Sequence, residues 1–199
     1  MRKLLATFSA SALLLSAVPL THARHALAGS LDGLMSSGPA PDVADKMMLG
    51  FGRVVGQWDL DYTAQTPDGK KVAAKCEWNF SWVLDGRAVQ DVWVCPSRAE
   101  RARDPKLSGE WGSTMRVYDK KLDLWHVVFF GPSLGNINQL TARAVGGDII
   151  QESTDSVGHL MQWNFGEITP NSFHWYSQKS TDNGKTWTRQ EDMYARRRD

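Results

Sequence analysis

Apolar and polar residues alternate along most of the chain from Val54 onwards, in segments separated by turn residues. An alternation of period two is typical of strands that bury one face. The pattern predicts ten strands, at roughly 54–64, 72–83, 88–95, 112–118, 124–130, 137–145, 148–155, 160–168, 173–180 and 186–195. It also predicts one short helix over about 42–49, because Pro41-Asp42 favours a helix start and Gly50 a stop.

The segments between these strands are short and rich in turn residues, such as Asp85-Gly86, Gly146-Gly147 and Asp182-Asn183-Gly184. Connections of this length join antiparallel neighbours. The sequence therefore predicts an all-β, antiparallel up-and-down sheet. Closing it into a barrel of about ten strands would remove its two exposed edges.

Turn positions also predict which side chains share a face. A turn at Asp85-Gly86 places Trp78 opposite Trp93 and Phe80 opposite Asp91. This face is aromatic and apolar apart from Asp91, so it is the better candidate for the barrel interior.

Two later hairpins give similar predictions. A turn from Asp119 to Asp123 places Arg116 opposite His126, so that both side chains leave the sheet on one side. A turn at Gly146-Gly147 brings Arg143 close to Ile150.

The two cysteines, Cys76 and Cys95, fall directly opposite each other in the register that pairs Trp78 with Trp93. Directly paired antiparallel residues have Cα atoms about 4.5–5.5 Å apart, which is within the range of a disulfide. The register therefore predicts a disulfide. Two free thiols or a metal-binding pair are the alternatives.

The first residues are typical of a secretory signal peptide, because Arg2 and Lys3 precede an uncharged apolar run from Leu4 to Leu20. Cleavage is predicted after Ala23, or as late as residue 28. The run is short for a membrane anchor and contains serines and a proline. We therefore expect an exported protein, periplasmic or secreted, with a flexible lead-in over 24–41 and a barrel domain over 42–199.

Charge limits the class of partner. The chain has 23 Lys and Arg residues against 22 Asp and Glu residues, and loss of Arg2 and Lys3 leaves 21 against 22. Such a balance argues against nucleic acid or an anionic membrane as the main partner. The sequence does not indicate an oligomeric state.

A tripeptide at the start of the first strand resembles a known signature. Gly56-Gln57-Trp58 follows the short helix directly, and Arg196-Arg197 lie at the end of the last strand. This resembles the Gly-x-Trp signature of the calycin superfamily, in which an arginine of the final strand packs over the tryptophan at the closed end of the barrel. The resemblance implies a structural role for Trp58 and for Arg196, or alternatively Arg197.

Longer segments extend the resemblance over most of residues 48–197. The segments FSWVLDGRAVQDVWV (80–94), GSTMRVYD (112–119) and ITPNSFHWYSQKSTDNGKTW (168–187) resemble the DUF1579-like proteins, a lipocalin-like group of largely unassigned function. Ten strands resemble the fatty-acid-binding and nitrobindin-like branch more than the eight-stranded lipocalins. The resemblance implies a fold and says little about chemistry.

None of the common catalytic motifs is present, and neither His159 nor His174 has the spacing of a metal ligand. We expect no metal and no cofactor, since haem would need a histidine inside the cavity and only His126 is a candidate.

The notable polar set is Asp91, Arg116 and His126, which lie on central strands among aromatic residues. It is either a salt-bridge network in the barrel wall or a polar anchor within an apolar cup.

Three functional hypotheses follow. The first is a barrel that binds a small apolar or amphipathic molecule, including an anionic one, through Arg116, His126, Asp91, Trp78 and Trp93. The second is a metal-independent lyase or isomerase that uses His126 with Arg116 or Asp91. The third is a structural envelope protein whose core is filled by its own side chains.

The cysteine register yields a direct prediction. The purified protein should contain no free thiol, because Cys76 and Cys95 are bonded to each other. Thiol labelling under denaturing, non-reducing conditions measures this, and two labelled cysteines per chain would contradict it. Loss of the disulfide should cost on the order of 2–4 kcal/mol of stability.

Overall fold

The computed structural model describes residues 35–66 and 68–198, and the predicted signal peptide lies outside them. The α-helices are α1 (Ala44–Leu49) and α2 (Arg98–Arg103), and a 3-10 helix spans Phe51–Val54. The strands are β1 (Met35–Ser36), β2 (Gly56–Gln65), β3 (Lys71–Val83), β4 (Ala88–Cys95), β5 (Glu110–Asp119), β6 (Leu124–Gly131), β7 (Asn136–Val145), β8 (Asp148–Thr154), β9 (Leu160–Gly166), β10 (Ser172–Ser180) and β11 (Thr188–Arg197).

Strands β2 to β11 form a closed antiparallel barrel. Each strand pairs with its neighbours in sequence, and β11 pairs with β2 to complete the ring. This confirms the predicted up-and-down barrel of ten strands. The additional strand β1 belongs to the predicted lead-in, and it pairs with the last two residues of β3, beyond the point where β2 begins.

One end of the barrel, here called the closed end, is covered by α1 and the 3-10 helix. Met47, Phe51 and Val54 on these helices are 0% exposed. The Phe51 ring packs edge-on against Trp125 and Phe165, with centroid distances of 5.0 and 5.8 Å. The predicted helix therefore exists, and its apolar side chains fill the end of the core.

Two of the predicted hairpin registers are confirmed. Trp78 pairs with Trp93 across β3 and β4, and Arg143 pairs with Ile150 across β7 and β8. Cys76 and Cys95 form a disulfide with a Cα–Cα distance of 4.5 Å.

The predicted register of the β5–β6 hairpin is wrong by one residue. Asp119 pairs with Leu124, so four residues form the turn, and Arg116 pairs with Val127 instead of His126. The Asp119 carboxylate accepts hydrogen bonds from the backbone N–H groups of Lys121 and Leu122. A one-residue shift moves His126 to the opposite face of the sheet from Arg116.

The arginine that covers Trp58 is Arg197. Its guanidinium carbon lies 4.1 Å from the centre of the Trp58 ring, and its Nη1 donates to the Val55 carbonyl at 3.0 Å. Arg196 instead forms a salt bridge on the outer wall with Asp61 at 2.8 Å. Arg197 is the residue directly paired with Trp58 across β11 and β2, which places it, and not Arg196, on the inward face.

Gly56 makes this packing sterically feasible. Its φ of +136° is a conformation that side chains with a Cβ rarely adopt, and a Cβ there would collide with the Arg197 guanidinium. The glycine of the Gly-x-Trp tripeptide thus leaves room for the arginine. Trp58 itself is 0% exposed and donates from Nε1 to the Val54 carbonyl at 2.8 Å.

The helix α2 lies between β4 and β5, where the sequence pattern predicts no helix. Its N-cap is Ser97, whose hydroxyl accepts a hydrogen bond from the Glu100 N–H at 3.2 Å. A serine followed three residues later by a glutamate is a capping signal, so the sequence did contain evidence for this helix. Arg98 of α2 pairs with Glu77 of β3 at 2.7 Å and holds the helix on the outer wall.

No helix among the described residues is long and apolar enough to cross a membrane.

The packing at Trp58 predicts a distinction between the two arginines. Trp58→Ala should lower the free energy of unfolding by about 3–5 kcal/mol, the usual cost of deleting a buried aromatic ring. Arg197→Met should cost about 1–2 kcal/mol, since it removes a cation–π contact and a hydrogen bond. Arg196→Met, the matched control, should cost less than about 1 kcal/mol. Urea denaturation measures all three, and an Arg196→Met loss as large as that of Arg197→Met would contradict the assignment.

Candidate functional site

The barrel interior contains a buried ion pair between β4 and β5. Arg116 Nη1 forms a salt bridge and hydrogen bond with Asp91 Oδ2, and the two side chains are 2% and 0% exposed. The other carboxylate oxygen of Asp91 accepts a hydrogen bond from the Thr114 N–H at 3.2 Å. The alternation that buries Phe80 and Val89 also directs these two charged side chains inward, as predicted for Asp91.

Aromatic rings surround the guanidinium. The Arg116 guanidinium carbon lies 4.7 Å from the Phe51 ring centre, 5.3 Å from that of Phe80 and 5.8 Å from that of Phe165. Such cation–π contacts strengthen when the cation is removed from water. Arg116 thus has a carboxylate and three rings around it within the protein, and only its Nε is buried without a hydrogen-bond partner among the described residues.

His126 does not join this pair. Its side chain is 53% exposed on the outer wall, where Nε2 lies 3.3 Å from Asp119 Oδ2. The predicted set of Asp91, Arg116 and His126 is therefore divided between the two faces of the sheet. Only the first two lie together.

Trp78 and Trp93 both face the interior, as the register predicts. The Trp78 ring packs against Phe80 at 4.8 Å and Phe165 at 5.5 Å, which are two of the rings around Arg116. The indole Nε1 atoms of Trp78 and Trp93 are buried and have no hydrogen-bond partner among the described residues. Buried donors of this kind normally find an acceptor.

A buried acceptor lies on the opposite side of the interior. Gln151 of β8 is 1% exposed, and its Nε2 donates to the Trp163 carbonyl at 2.7 Å. Its Oε1 is buried without a partner among the described residues. The interior thus presents both donors and an acceptor that the protein does not use.

The end of the interior away from α1 is less tightly closed. Five large inward-facing side chains there are only half-buried, and they are named the mouth cluster: Tyr62, Trp93, Phe129, Met161 and Trp163. The four aromatic rings contact each other in two pairs, with centroid distances of 6.3 Å for Tyr62 and Trp93 and 5.6 Å for Phe129 and Trp163. The Trp163 ring contacts the Trp175 ring, which in turn contacts the Trp78 ring in the buried core.

Gly112 helps to shape this cluster. It is directly opposite Trp93 on β5, and a Cβ at this position would overlap the Phe129 ring. The absence of a side chain therefore provides the space that the Phe129 ring occupies.

A polar group borders the mouth cluster. The Tyr62 hydroxyl donates to Glu191 Oε1 at 2.8 Å, and the Ser177 hydroxyl donates to Glu191 Oε2 at 3.0 Å. Burial, followed by the nearby Glu191 carboxylate, raises the pKa of the Tyr62 hydroxyl. Tyr62 therefore stays protonated at neutral pH. Sequence reasoning missed this group, although Glu191 shares the inward parity of Met193 and Ala195 on β11.

The other two histidines among the described residues, His159 and His174, also lie beside carboxylates. His174 stacks on Tyr194 with a centroid distance of 4.2 Å and contacts Asp192 at 2.7 Å, while His159 contacts Asp155 at 3.0 Å. Over residues 35–66 and 68–198, no group of three or more His, Cys, Asp or Glu side chains is placed to hold a metal ion.

Comparison with known proteins supports the fold. No family model matches the chain, and no curated protein matches it. Among solved structures, an S-type phycobiliprotein lyase, CPES, from Guillardia theta is similar with a TM-score of 0.52 and 11% identity, over 75% of this chain and 90% of that chain. A redesigned β-barrel, mFAP1, bound to DFHBI is 16% identical with a TM-score of 0.36, over 73% of this chain and 95% of that one. At this identity, the similarity to the lyase concerns the fold alone.

The buried pair predicts a large effect of one conservative substitution. Asp91→Asn should lower the free energy of unfolding by about 3–5 kcal/mol, because it leaves the Arg116 charge buried without a counter-ion. Asp61→Asn, which removes a carboxylate from the partly exposed pairs with Lys75 and Arg196, should cost about 0–1 kcal/mol. Thermal or urea unfolding of the two variants measures the difference. Equal losses would contradict the description of Asp91 as the buried counter-ion.

Proposed function

We propose that this protein binds a small apolar or amphipathic molecule inside the barrel, at the mouth cluster. The observation that carries the proposal is the contrast in burial along the interior. Phe51, Phe80 and Phe165 are at most 2% exposed, whereas the mouth cluster keeps part of its aromatic surface exposed. Concave, mainly aromatic surfaces with a few polar groups are typical of small-molecule sites.

The unused polar atoms indicate the chemistry of the ligand. Trp78 Nε1 and Trp93 Nε1 can each donate a hydrogen bond, and Gln151 Oε1 can accept one. A ligand that combines an apolar body with a carbonyl or similar oxygen would satisfy the indole donors. Leaving such a donor unpaired costs about 1–3 kcal/mol, so a matching acceptor is favoured over a pure hydrocarbon.

The ligand does not need a negative charge. Asp91 already neutralises Arg116, and three rings enclose the guanidinium. An anionic ligand would have to compete with Asp91 for the same cation. We therefore place Arg116 and Asp91 beneath the site, as its floor, and Trp78 and Trp93 in contact with the ligand.

We further propose that the protein is exported and related to the DUF1579-like proteins. The disulfide between Cys76 and Cys95 supports export, because disulfides persist in oxidising compartments. The Arg197–Trp58 packing supports a place within the calycin superfamily.

The geometry disfavours the enzyme hypothesis in the form given above. A lyase or isomerase that used His126 with Arg116 or Asp91 would need these side chains together, and they lie on opposite faces of the sheet. The filled-core hypothesis differs from the proposal in one measurable respect, since a filled barrel would bind no apolar probe.

Two fluorescent probes test the proposal. N-phenyl-1-naphthylamine is neutral and has no oxygen acceptor, whereas 8-anilinonaphthalene-1-sulfonate carries a sulfonate group with three oxygen acceptors. We expect one molecule of either probe to bind per barrel, and Trp163→Ala to weaken both. Trp93→Phe should weaken the sulfonate probe by about 2- to 12-fold, the value of one net hydrogen bond, with little effect on the neutral probe.

Trp111→Phe is the matched control, because Trp111 faces the outside and is 48% exposed. It should leave both affinities unchanged, as should His126→Ala. Absence of binding by either probe would favour the filled core. If the affinities for both probes are unchanged in Trp163→Ala and Trp93→Phe, the site lies elsewhere.

A further inference from the structure

The outer wall of the barrel is divided into two chemically different sides. The outward positions of β2, β3 and β11 include many charged residues, among them Asp59, Asp61, Lys75, Glu77 and Arg196. The outward positions on the adjoining parts of β4 to β7, from Gln90 to Val94, Trp111 to Val117, His126 to Phe130 and Ile137 to Thr141, include no Asp, Glu, Lys or Arg.

The second side presents large apolar side chains to solvent. We name it the apolar wall, and it consists of Val92, Trp111, Met115, Val128, Phe130 and Ile137. Four of these, Val92, Trp111, Phe130 and Ile137, are 46%, 48%, 47% and 66% exposed. Isolated exposed apolar residues are common, but a contiguous set of this kind marks an interaction surface.

The register shows that the wall is continuous. Val92 pairs with Ser113, Ser113 with Phe130, and Phe130 with Ile137, so these four residues form one row across four strands. Directly paired side chains on one face are in contact distance. The row is therefore a single surface and not a scatter of separate residues.

The wall contains both a groove and projecting side chains. A groove of about 450 Å³ is lined by Val92, Trp111, Phe130 and Ile137 together with the backbone of neighbouring glycines. Beside it, Leu134 at the tip of the β6–β7 hairpin is 73% exposed. The β6–β7 hairpin thus supplies residues of the groove as well as an exposed leucine, and an isologous contact needs both a groove and a projecting side chain from each copy.

We propose that the apolar wall is the contact surface for a second copy of this chain in a two-fold symmetric dimer. Four strands about 4.8 Å apart, over about six residues at about 3.3 Å each, cover roughly 380 Å². Two copies would then bury about 760 Å², which is the size of a weak contact, so the proposed dimer forms at high protein concentration. The outward strand positions of the wall carry no Asp, Glu, Lys or Arg, so two copies meet there without like-charge repulsion.

The charges around the wall favour a protein copy over an anionic lipid surface. Arg101 of α2 borders the wall, and all three arginines of this helix are already engaged. Arg98 pairs with Glu77, Arg103 pairs with Glu100, and Arg101 donates to the carbonyls of Pro96 and Cys95 while covering the Trp111 ring at 3.5 Å. Arg101 thus forms part of a polar rim, as is typical of protein interfaces.

Sedimentation equilibrium of the purified protein tests the proposal, over about 1 to 500 μM to bracket the affinity of an interface of this size. The unmodified chain should form dimers. Phe130→Lys should raise the dimer dissociation constant at least about tenfold, because it places a charge in the centre of the surface. Ile137→Lys is a second variant at a more exposed position. Val157→Lys, which changes a 73% exposed valine in the β8–β9 turn, is the matched control and should dimerise like the parent.

Melting temperatures of the variants show whether each remains folded. A parent protein that stays monomeric over the whole range would overturn the proposal, and so would dimers that persist in both Phe130→Lys and Ile137→Lys. Monomers that co-sediment with anionic phospholipid vesicles through the same residues would also overturn it, by identifying a membrane as the occupant.

Discussion

The structure depends on one electrostatic constraint, which is the neutralisation of Arg116 inside an aromatic barrel. An arginine does not lose its charge in a protein, so its burial requires a counter-ion. Asp91 supplies it from the neighbouring strand, and Phe51 contributes a ring from the segment that covers the closed end. The pair therefore joins the barrel wall to its cover and determines which part of the interior is left for a ligand.

Most of the fold could be predicted from the sequence because the turn residues fix the parity of the strands. Asp85-Gly86 gave the β3–β4 register, and with it the inward position of Asp91 and the disulfide. The β5–β6 hairpin shows the limit of this approach. Whether Asp119 belongs to the turn or to the strand depends on a side-chain hydrogen bond, and that one residue decides whether His126 lies inside or outside.

The candidate site was less predictable because it depends on contacts between distant strands. Tyr62 and Glu191 are 2.8 Å apart across the β11–β2 closure, which no local pattern encodes. The choice between Arg196 and Arg197 depends on the same closure. The charged side of the outer wall follows the same principle, since it combines β11 with β2 and β3, whereas the apolar side lies on four consecutive strands.

The central claim is that Asp91 and Arg116 neutralise each other and leave the site above them to a ligand. The most direct test is a double-mutant cycle of Asp91→Leu and Arg116→Met, followed by urea unfolding of the empty protein. The account predicts that each single change destabilises the barrel and that the double variant recovers much of the loss, because it leaves no unpaired charge. An Arg116→Met variant that is more stable than the parent, with no coupling between the two positions, would contradict it and show that Arg116 awaits a charge from outside the protein.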